Sequence, residues 1–340
     1  MRRMLSFFLL LVSSKALFAA PFAYVTNYAG ETVSIVDIGA NATTGYVNTG
    51  SFTITNPVDV RFLPNGSKAY LVCDYSNAVF VIDAASNTIT TQLNSTSFPF
   101  NAPVFIAITP DGTKAYVTNE TGNNVTIIDT ATDTITGYVN AGAFPFAFPI
   151  GVSFSADGST AYVANYNGGN ISIVDVATDT VTGYVNNGSF TLASPIYVTF
   201  DDNTTAYVNS YNSDSVAIID FATNTITGFV NDSSFPFSLP GIVGRSSSLA
   251  TGIITNLGSS EVSLFNPSTN IVTGNVSGSF NYPLKFWITA DSSTAYIVNL
   301  GNNTVSIVDI ATSTVTGLIN DTAAVFDVPY AIDISGASPP

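Results

Sequence analysis

The chain has 340 residues, no histidine and a formal net charge of −15, with 23 acidic residues against 8 basic ones. A surface with this charge repels nucleic acid and anionic lipid, so we expect no nucleic-acid partner. The lack of histidine removes the side chain used most often as a general base and as a transition-metal ligand. Composition alone therefore disfavours a nucleic-acid binder and most classes of enzyme.

Residues 1–20 have the pattern of a signal peptide. Two arginines precede an apolar run over residues 5–12, and small residues suited to cleavage follow at 17–20. The apolar run is too short to cross a bilayer as a helix. We therefore expect a Sec signal peptide over 1–20, export to the periplasm or to the cell surface, and no membrane span.

After this leader, one sequence unit is repeated seven times. Its leading aromatic or apolar residue recurs every 43–46 residues, at Tyr24, Tyr70, Tyr116, Tyr162, Tyr207, Ile253 and Tyr296. A second marker keeps nearly the same spacing, at Pro57, Pro103, Pro149, Pro195, Pro240, Pro283 and Pro329. A repeat of this length with strand-like content is typical of a propeller blade, whereas the coils of a solenoid are usually shorter.

Each copy of the unit predicts four short strands. In the third copy, β-branched and aromatic residues mark strands over 115–119, 125–129, 135–139 and 149–154, with Gly, Asn and Asp turns between them. Four-stranded meanders repeated seven times bury both faces only by stacking, and closing them into a ring leaves no end face exposed. The sequence therefore predicts an all-β, seven-bladed propeller with four antiparallel strands per blade, as a single domain over 21–340.

The phase of the repeat predicts how the ring closes. After the leader, the chain begins at the second strand of a unit, at Tyr24, and it ends with a spare proline-led strand over 329–334. We expect this C-terminal strand to complete the N-terminal blade, because both edges then gain a hydrogen-bonded neighbour.

The Tyr-Val-Thr-Asn run at 24–27, followed by Val-Ser-Ile-Val-Asp at 33–37 and a proline-led strand, resembles the YVTN-family β-propeller repeats. The resemblance extends over residues 23–335. The repeated residues, their spacing and the number of copies all match the family's pattern. It implies an exported bacterial or surface-layer type of propeller. Relatives include surface-layer, DNA-binding, lactonase-like and cofactor-oxidoreductase propellers, so the resemblance selects a fold and leaves the function open.

Six aspartates recur in register, at Asp37, Asp83, Asp129, Asp175, Asp220 and Asp309. Such an array is compatible with a metal or acid–base site. However, each aspartate ends a strand just before a short turn, where its side chain caps that turn. We therefore predict that these residues are structural, with no catalytic residue and no metal site among them.

The long segments that precede the innermost strands are rich in aromatic residues and lie at one end of the ring. Loops at a propeller mouth commonly bind ligands. The candidate contacts at this loop face are Phe98, Phe100, Phe144, Phe146, Phe235 and Phe237. The alternative, which their regular recurrence favours, is that these rings wedge between blades and seal the core.

The innermost strands carry the positions at which the copies disagree. Counted from each proline, positions +2 and +4 place charged residues on three consecutive blades, opposite a largely apolar sector. The candidate contacts for a small anionic ligand in the channel are Asp59, Arg61, Tyr197, Arg245, Lys285, Trp287 and Asp333. The alternative is mutual compensation, with Asp59 paired to Arg61 and Lys285 paired to Asp333.

No catalytic motif accompanies these residues. The lone cysteine, Cys73, has no histidine partner, and the sequence contains no phosphate-binding loop or haem-attachment pair. We therefore expect a non-catalytic, monomeric scaffold without a cofactor that binds a protein, a glycan or a small anionic ligand, with Ca²⁺ left open. The alternative is a lactonase-like or other hydrolase or lyase propeller that uses a divalent ion in the central channel.

Overall fold

The computed structural model describes residues 21–200, 204–245, 251–320 and 325–335. The predicted signal peptide over 1–20 lies outside the described residues. Within the described ranges, none of the helices has the length and hydropathy needed to span a bilayer.

These ranges fold into seven four-stranded antiparallel sheets, which we number blades 1 to 7 in chain order. Blade 1 begins with β1 (Phe22–Asn27), β2 (Thr32–Asp37) and β3 (Ala42–Tyr46). Blade 2 contains β4 (Pro57–Phe62), β5 (Lys68–Cys73), β6 (Ala78–Asp83) and β7 (Thr88–Leu93). Blade 3 contains β8 (Pro103–Ile108), β9 (Lys114–Asn119), β10 (Asn124–Asp129) and β11 (Thr134–Tyr138).

The remaining blades repeat this order. Blade 4 contains β12 (Pro149–Phe154), β13 (Thr160–Asn165), β14 (Asn170–Asp175) and β15 (Thr180–Tyr184). Blade 5 contains β16 (Pro195–Phe200), β17 (Thr205–Ser210), a short 3₁₀ helix (Tyr211–Ser213), β18 (Ser215–Asp220) and β19 (Thr225–Phe229). Blade 6 contains β20 (Pro240–Gly244), β21 (Gly252–Asn256), β22 (Glu261–Asn266) and β23 (Ile271–Asn275). Blade 7 contains β24 (Pro283–Ile288), β25 (Thr294–Asn299), β26 (Thr304–Asp309) and β27 (Thr314–Ile319), and β28 (Pro329–Ile334) follows.

The last strand closes the ring as predicted. Strand β28 pairs antiparallel with β1, from Ala23 opposite Ile334 to Thr26 opposite Ala331. The inner strands β28, β4, β8, β12, β16, β20 and β24 then contact one another in sequence around the channel. The seven-bladed prediction is confirmed.

The recurrent tyrosine joins a blade to the next one in every blade except blade 6, where Ile253 takes its place. Its hydroxyl donates to an Asn or Asp side chain in the last turn of the following blade, for example Tyr24 to Asn87 at 2.7 Å and Tyr207 to Asn270 at 3.0 Å. Charged acceptors occur in two interfaces, where Tyr70 and Tyr116 donate to Asp133 and Asp179. The acceptors have φ near +50°, a left-handed conformation that Asn and Asp tolerate.

The repeated aspartates cap turns, as predicted. Asp83, Asp129, Asp175, Asp220 and Asp309 each accept the backbone N–H three residues further on, at 2.7–2.8 Å. These hydrogen bonds lower the pKa values of the five carboxyls, because they favour the ionised form. Cys73 is fully buried, and burial raises the pKa of its thiol, which fits the predicted packing role.

Candidate functional site

Two layers of side chains from the inner strands line the central channel. Alternate residues of a strand share one face, so the residues at positions +2 and +4 after each proline point the same way. The +2 layer consists of Asp59, Phe105, Gly151, Tyr197, Ile242, Lys285 and Ala331. The +4 layer consists of Arg61, Ala107, Ser153, Thr199, Gly244, Trp287 and Asp333.

An ion pair crosses the +2 layer. Lys285 Nζ lies 3.0 Å from Asp59 Oδ1, and Asp59 Oδ2 accepts the backbone N–H of Ile106 at 3.1 Å. Both side chains are buried, and burial lowers the pKa of Lys285. The predicted pairing of Lys285 with Asp333 is therefore wrong. Blade 1 presents only Ala331 in this layer, so the lysine reaches past it to blade 2.

Arg61 lies between two aromatic rings in the +4 layer. Its guanidinium carbon is 4.9 Å from the centre of the Trp287 ring and 5.3 Å from that of Phe105. Arg61 Nε is 4.0 Å from Asp59 Oδ2, so the predicted contact between these two residues is present as a long ion pair. Within the described part of the chain, Arg61 Nη1 and Trp287 Nε1 are buried and have no hydrogen-bond acceptor.

Asp333 is a buried carboxyl at the same level. It is 2% exposed, and its Oδ2 accepts the backbone N–H of Phe62 from blade 2 at 2.6 Å. Burial raises its pKa to about 7, while Arg61 and the Phe62 N–H oppose this shift by favouring the ionised form. Near neutral pH the carboxyl is therefore partly protonated and partly ionised.

A cavity of ≈ 400 Å³ opens at the +4 end of the channel. Its polar lining comes from Arg61, Ser153, Tyr197, Thr199, Trp287 and Asp333, together with residues of the turns that follow the inner strands. A volume of this size is typical of small-molecule sites. The long aromatic segments enter the inner strands at their proline ends, so the cavity lies on the opposite face of the ring.

The cavity brings together four of the seven channel residues predicted from the sequence, namely Arg61, Tyr197, Trp287 and Asp333. Asp59 and Lys285 lie one layer deeper, where they hold each other and support Arg61. Arg245 follows β20 and is absent from the described lining of the cavity.

Tyr197 crosses from the sector that was expected to be apolar. Its ring meets Phe105 at 5.0 Å between centres, its hydroxyl interacts with Arg61 and Ser153, and burial raises its pKa. Gly151 permits this approach, since a Cβ there would lie only 2.5 Å from the carbonyl oxygen of Ile196. The predicted division into a polar and an apolar sector is therefore only partly correct.

Ser153 and Thr199 were not among the predicted contacts. Each hydroxyl donates to a carbonyl of the next blade, with Ser153 bonded to Val198 and Thr199 bonded to Val243 at 2.6 Å. Their place at position +4, the register of Arg61 and Trp287, was the signal that could have identified them.

The predicted loop-face aromatics lie away from the cavity. Phe100, Phe146 and Phe237 are 5–7% exposed and pack into clusters between blades. Two others stack edge-on against outer-strand tyrosines, with Phe98 on Tyr138 and Phe144 on Tyr184. Phe235 is 36% exposed. Three of the six rings thus lie in the core between blades, as in the alternative interpretation.

The channel carboxylates do not fit the divalent ion considered in the sequence analysis. Asp59 is already held by Lys285 and the amide of Ile106, and the Asp333 oxygens accept backbone N–H groups of Phe62 and Ile334. Nowhere in the described ranges do three or more His, Cys, Asp or Glu side chains group as metal ligands.

A family model described as "Lactonase, 7-bladed beta-propeller" matches residues 74–191, from blade 2 to the segment before blade 5. A search of curated proteins returned no match. The matched segment covers about a third of the chain.

Solved structures support the same fold. A candidate 6-phosphogluconolactonase from Bacteroides uniformis superposes with a TM-score of 0.69 at 15% identity, covering 93% of this chain and 100% of that one. One from Bacteroides fragilis has a TM-score of 0.68 at 14% identity, with 93% and 98% covered. Kuenenia stuttgartiensis hydrazine synthase has a TM-score of 0.71 at 17% identity, with 85% and 92% covered.

These comparisons correct the functional expectation drawn from the sequence. The non-catalytic scaffold is overturned by the lactonase-type match, which favours the hydrolase alternative. The expectation failed because it rested on missing histidine motifs. The candidate acid–base group is instead an aspartate, and burial is what moves its pKa toward neutrality.

Proposed function

We propose that this protein is a hydrolase-like propeller that opens a small lactone ring in the channel cavity. One observation carries the proposal: Asp333, Arg61 and Trp287 line the same ≈ 400 Å³ cavity, and buried N–H groups of Arg61 and Trp287 have no acceptor in the described part of the chain. The lactonase-type match over 74–191 supports the reaction class.

The chemistry follows from the properties of these groups. A general base works best when its pKa lies near the operating pH, and Asp333 meets this condition. Asp333 removes a proton from water, whose oxygen then bonds to the lactone carbonyl carbon. The N–H groups of Arg61 and Trp287 stabilise the negative charge that develops on the carbonyl oxygen.

Collapse of this intermediate breaks the bond from the carbonyl carbon to the ring oxygen. The ring oxygen leaves as an alkoxide and takes from Asp333 the proton that this residue removed from water, and the product is a hydroxycarboxylic acid. This acid ionises near neutral pH, so one lactone and one water give one hydroxycarboxylate and one proton.

The buried ion pair of Lys285 and Asp59, which lies below the cavity, positions the guanidinium of Arg61. Asp59 faces Arg61 Nε at 4.0 Å and is itself fixed by Lys285 and the Ile106 amide. Trp287 and Phe105 confine the guanidinium from two sides. Arg61 therefore has few alternative orientations, and a preorganised donor stabilises developing charge without first having to reorient.

The test is hydrolysis of a panel of γ- and δ-lactones in a pH-stat, corrected for the spontaneous rate. Wild type is expected to turn over at least one lactone, and Asp333→Asn is expected to lose at least about 100-fold in rate. Asp157→Asn is the matched control, because that carboxylate caps an exposed turn near the same end of the channel. An Asp333→Asn variant as active as the control would refute the proposed role.

Finer assignments go with this proposal. We propose that the chain is a YVTN-type repeat propeller, on the basis of its repeated Tyr-Val-Thr-Asn wording. The leader-like sequence at 1–20 supports export, for which detection of the mature chain in the periplasmic or extracellular fraction is the test.

A further inference from the structure

Two residues that line the cavity each carry a buried N–H group without an acceptor in the described structure. These groups are Arg61 Nη1 and Trp287 Nε1, and the guanidinium carbon is 4.9 Å from the indole ring centre. An unpaired buried donor in a native structure calls for an explanation, such as a bound water or ligand that supplies the acceptor. Two donors on neighbouring side chains, one of them cationic, suit an acceptor that is an anion.

The charges around these two donors set the charge of the ligand. Arg61 and Lys285 are cationic, Asp59 is anionic, and Asp333 is neutral or anionic according to pH. The net charge of these four side chains is therefore +1 when Asp333 is protonated and zero when it is ionised. A monoanion neutralises the cluster when Asp333 is protonated, whereas a dianion leaves an uncompensated charge in a buried site.

The geometry also favours a carboxylate over other monoanions. A guanidinium presents its N–H groups in a planar fork that matches the two oxygens of a carboxylate. The rings of Trp287 and Phe105 flank the Arg61 guanidinium, which leaves its edge as the face for contact with a ligand.

We propose that the cavity binds a small monocarboxylate through Arg61 and Trp287, and that Asp333 takes up a proton as the carboxylate binds. The ligand's origin, as the hydroxycarboxylate product of ring opening, rests on the proposed function. The binding itself does not depend on turnover. In the product complex Asp333 keeps the proton released by the reaction, so the two carboxyl groups are not both charged.

Proton uptake is assigned to Asp333 after considering the titratable groups of the strands around it. Strand β4 contributes Arg61 and Asp59, and β24 contributes Lys285. Tyr197 comes from β16 across the cavity, Tyr24 is the cross-strand partner of Asp333 on β1, and Tyr296 comes from β25. Burial raises the pKa values of all three tyrosines, so they remain neutral. Lys285 is held by its ion pair with Asp59. A ligand anion near Arg61 raises the pKa of Asp333 further, because two like charges disfavour each other.

The test is isothermal titration calorimetry of the full chain with 4-hydroxybutyrate at about pH 8, where Asp333 of the free protein is mostly ionised. The neutral control is 1,4-butanediol, and the dianion is inorganic sulfate. We expect one site for 4-hydroxybutyrate, no measurable binding of the diol and weaker binding of sulfate. Repetition in buffers of different ionisation enthalpy should show uptake of protons. Equal affinity for the diol, tighter binding of sulfate, or no proton uptake would overturn the proposal.

Two variants separate the roles of the residues. Trp287→Phe keeps an aromatic ring beside Arg61 but removes the N–H, and should weaken 4-hydroxybutyrate binding about tenfold. Asp333→Asn should bind with an affinity that no longer falls as pH rises between about 5 and 8. Unchanged affinity in Trp287→Phe, or a wild-type pH dependence in Asp333→Asn, contradicts the assignment.

The binding and hydrolysis experiments distinguish failure of this inference from failure of the proposed function. If 4-hydroxybutyrate binds with proton uptake but no lactone is hydrolysed, the carboxylate site stands and the hydrolase proposal fails. If lactones are hydrolysed but 4-hydroxybutyrate does not bind, this inference fails and the hydrolase proposal stands.

Discussion

The ion pair between Lys285 and Asp59 gives the sharpest prediction on stability. Lys285→Met removes the cation that lies 3.0 Å from a carboxylate with only 1% exposure. Removing one partner of a buried pair leaves an uncompensated charge and commonly costs about 3–5 kcal/mol. Arg61 compensates only in part, because its Nε is 4.0 Å from the same carboxylate. We therefore expect Lys285→Met to lose about 3 kcal/mol in the free energy of unfolding.

A second substitution tests whether the unpaired charge of Asp59 causes the loss of stability in Lys285→Met. Asp59→Asn keeps an oxygen that can accept the Ile106 N–H but removes the negative charge. The double variant should therefore lose no more than about 2 kcal/mol, less than Lys285→Met alone. Lys114→Met is the control, since its pair with Asp179 is about one quarter exposed and should contribute about 1 kcal/mol or less.

The assay is equilibrium urea unfolding at neutral pH, with the midpoint and the m-value fitted for each variant. The reasoning is refuted if Lys285→Met costs no more than the Lys114→Met control. It is also refuted if the two substitutions simply add, because independent effects would mean that the charges do not interact.

Three further predictions concern the blades, the buried carboxyl and ring closure. Tyr116→Phe should cost about 1.5–3 kcal/mol in urea unfolding and Tyr207→Phe about 1, because Tyr116 bonds a charged Asp179 and Tyr207 a neutral Asn; equal losses would contradict this. Burial raises the folded pKa of Asp333 from 3.8 to about 7, so the folded state retains a proton that the unfolded state has lost. Stability should therefore fall by up to about 4 kcal/mol as pH rises from about 4 to 7, and urea unfolding of Asp333→Asn should lack this fall. Truncation before residue 329 should abolish cooperative thermal unfolding, because it removes the strand that pairs with β1; a normal transition would count against ring closure.

The fold was predictable because its signal is repeated. The tyrosine and proline spacings fixed the number of blades and strands, and the unpaired proline-led strand after the seventh copy predicted the pairing of β28 with β1. The inter-blade bonds of the tyrosines were not predicted. Most of them join residues 62 or 63 positions apart, for example Tyr24 and Asn87, and the bond from Tyr296 to Asn41 spans 255 positions. No local pattern connects two such residues.

The site was predictable only in outline. The +2 and +4 positions placed Arg61, Trp287 and Asp333 on one channel wall, but they gave no distances across the channel. Lys285 was assigned to Asp333 because the two lie on adjacent blades, whereas its length lets it reach Asp59 past a small alanine. The acid–base character of Asp333 depends on burial, which is a property of the folded ring and is not visible in the sequence.

The most direct test of the channel as an active site is the pH dependence of lactone hydrolysis. With Asp333 as the general base, kcat/KM of wild type should rise through about pH 7 and then level off, because only the ionised carboxyl removes a proton from water. Asp333→Asn should show a low rate without this rise, after correction for spontaneous hydrolysis. A wild-type rate that does not change across this range, or the same rise in Asp333→Asn, would contradict the account.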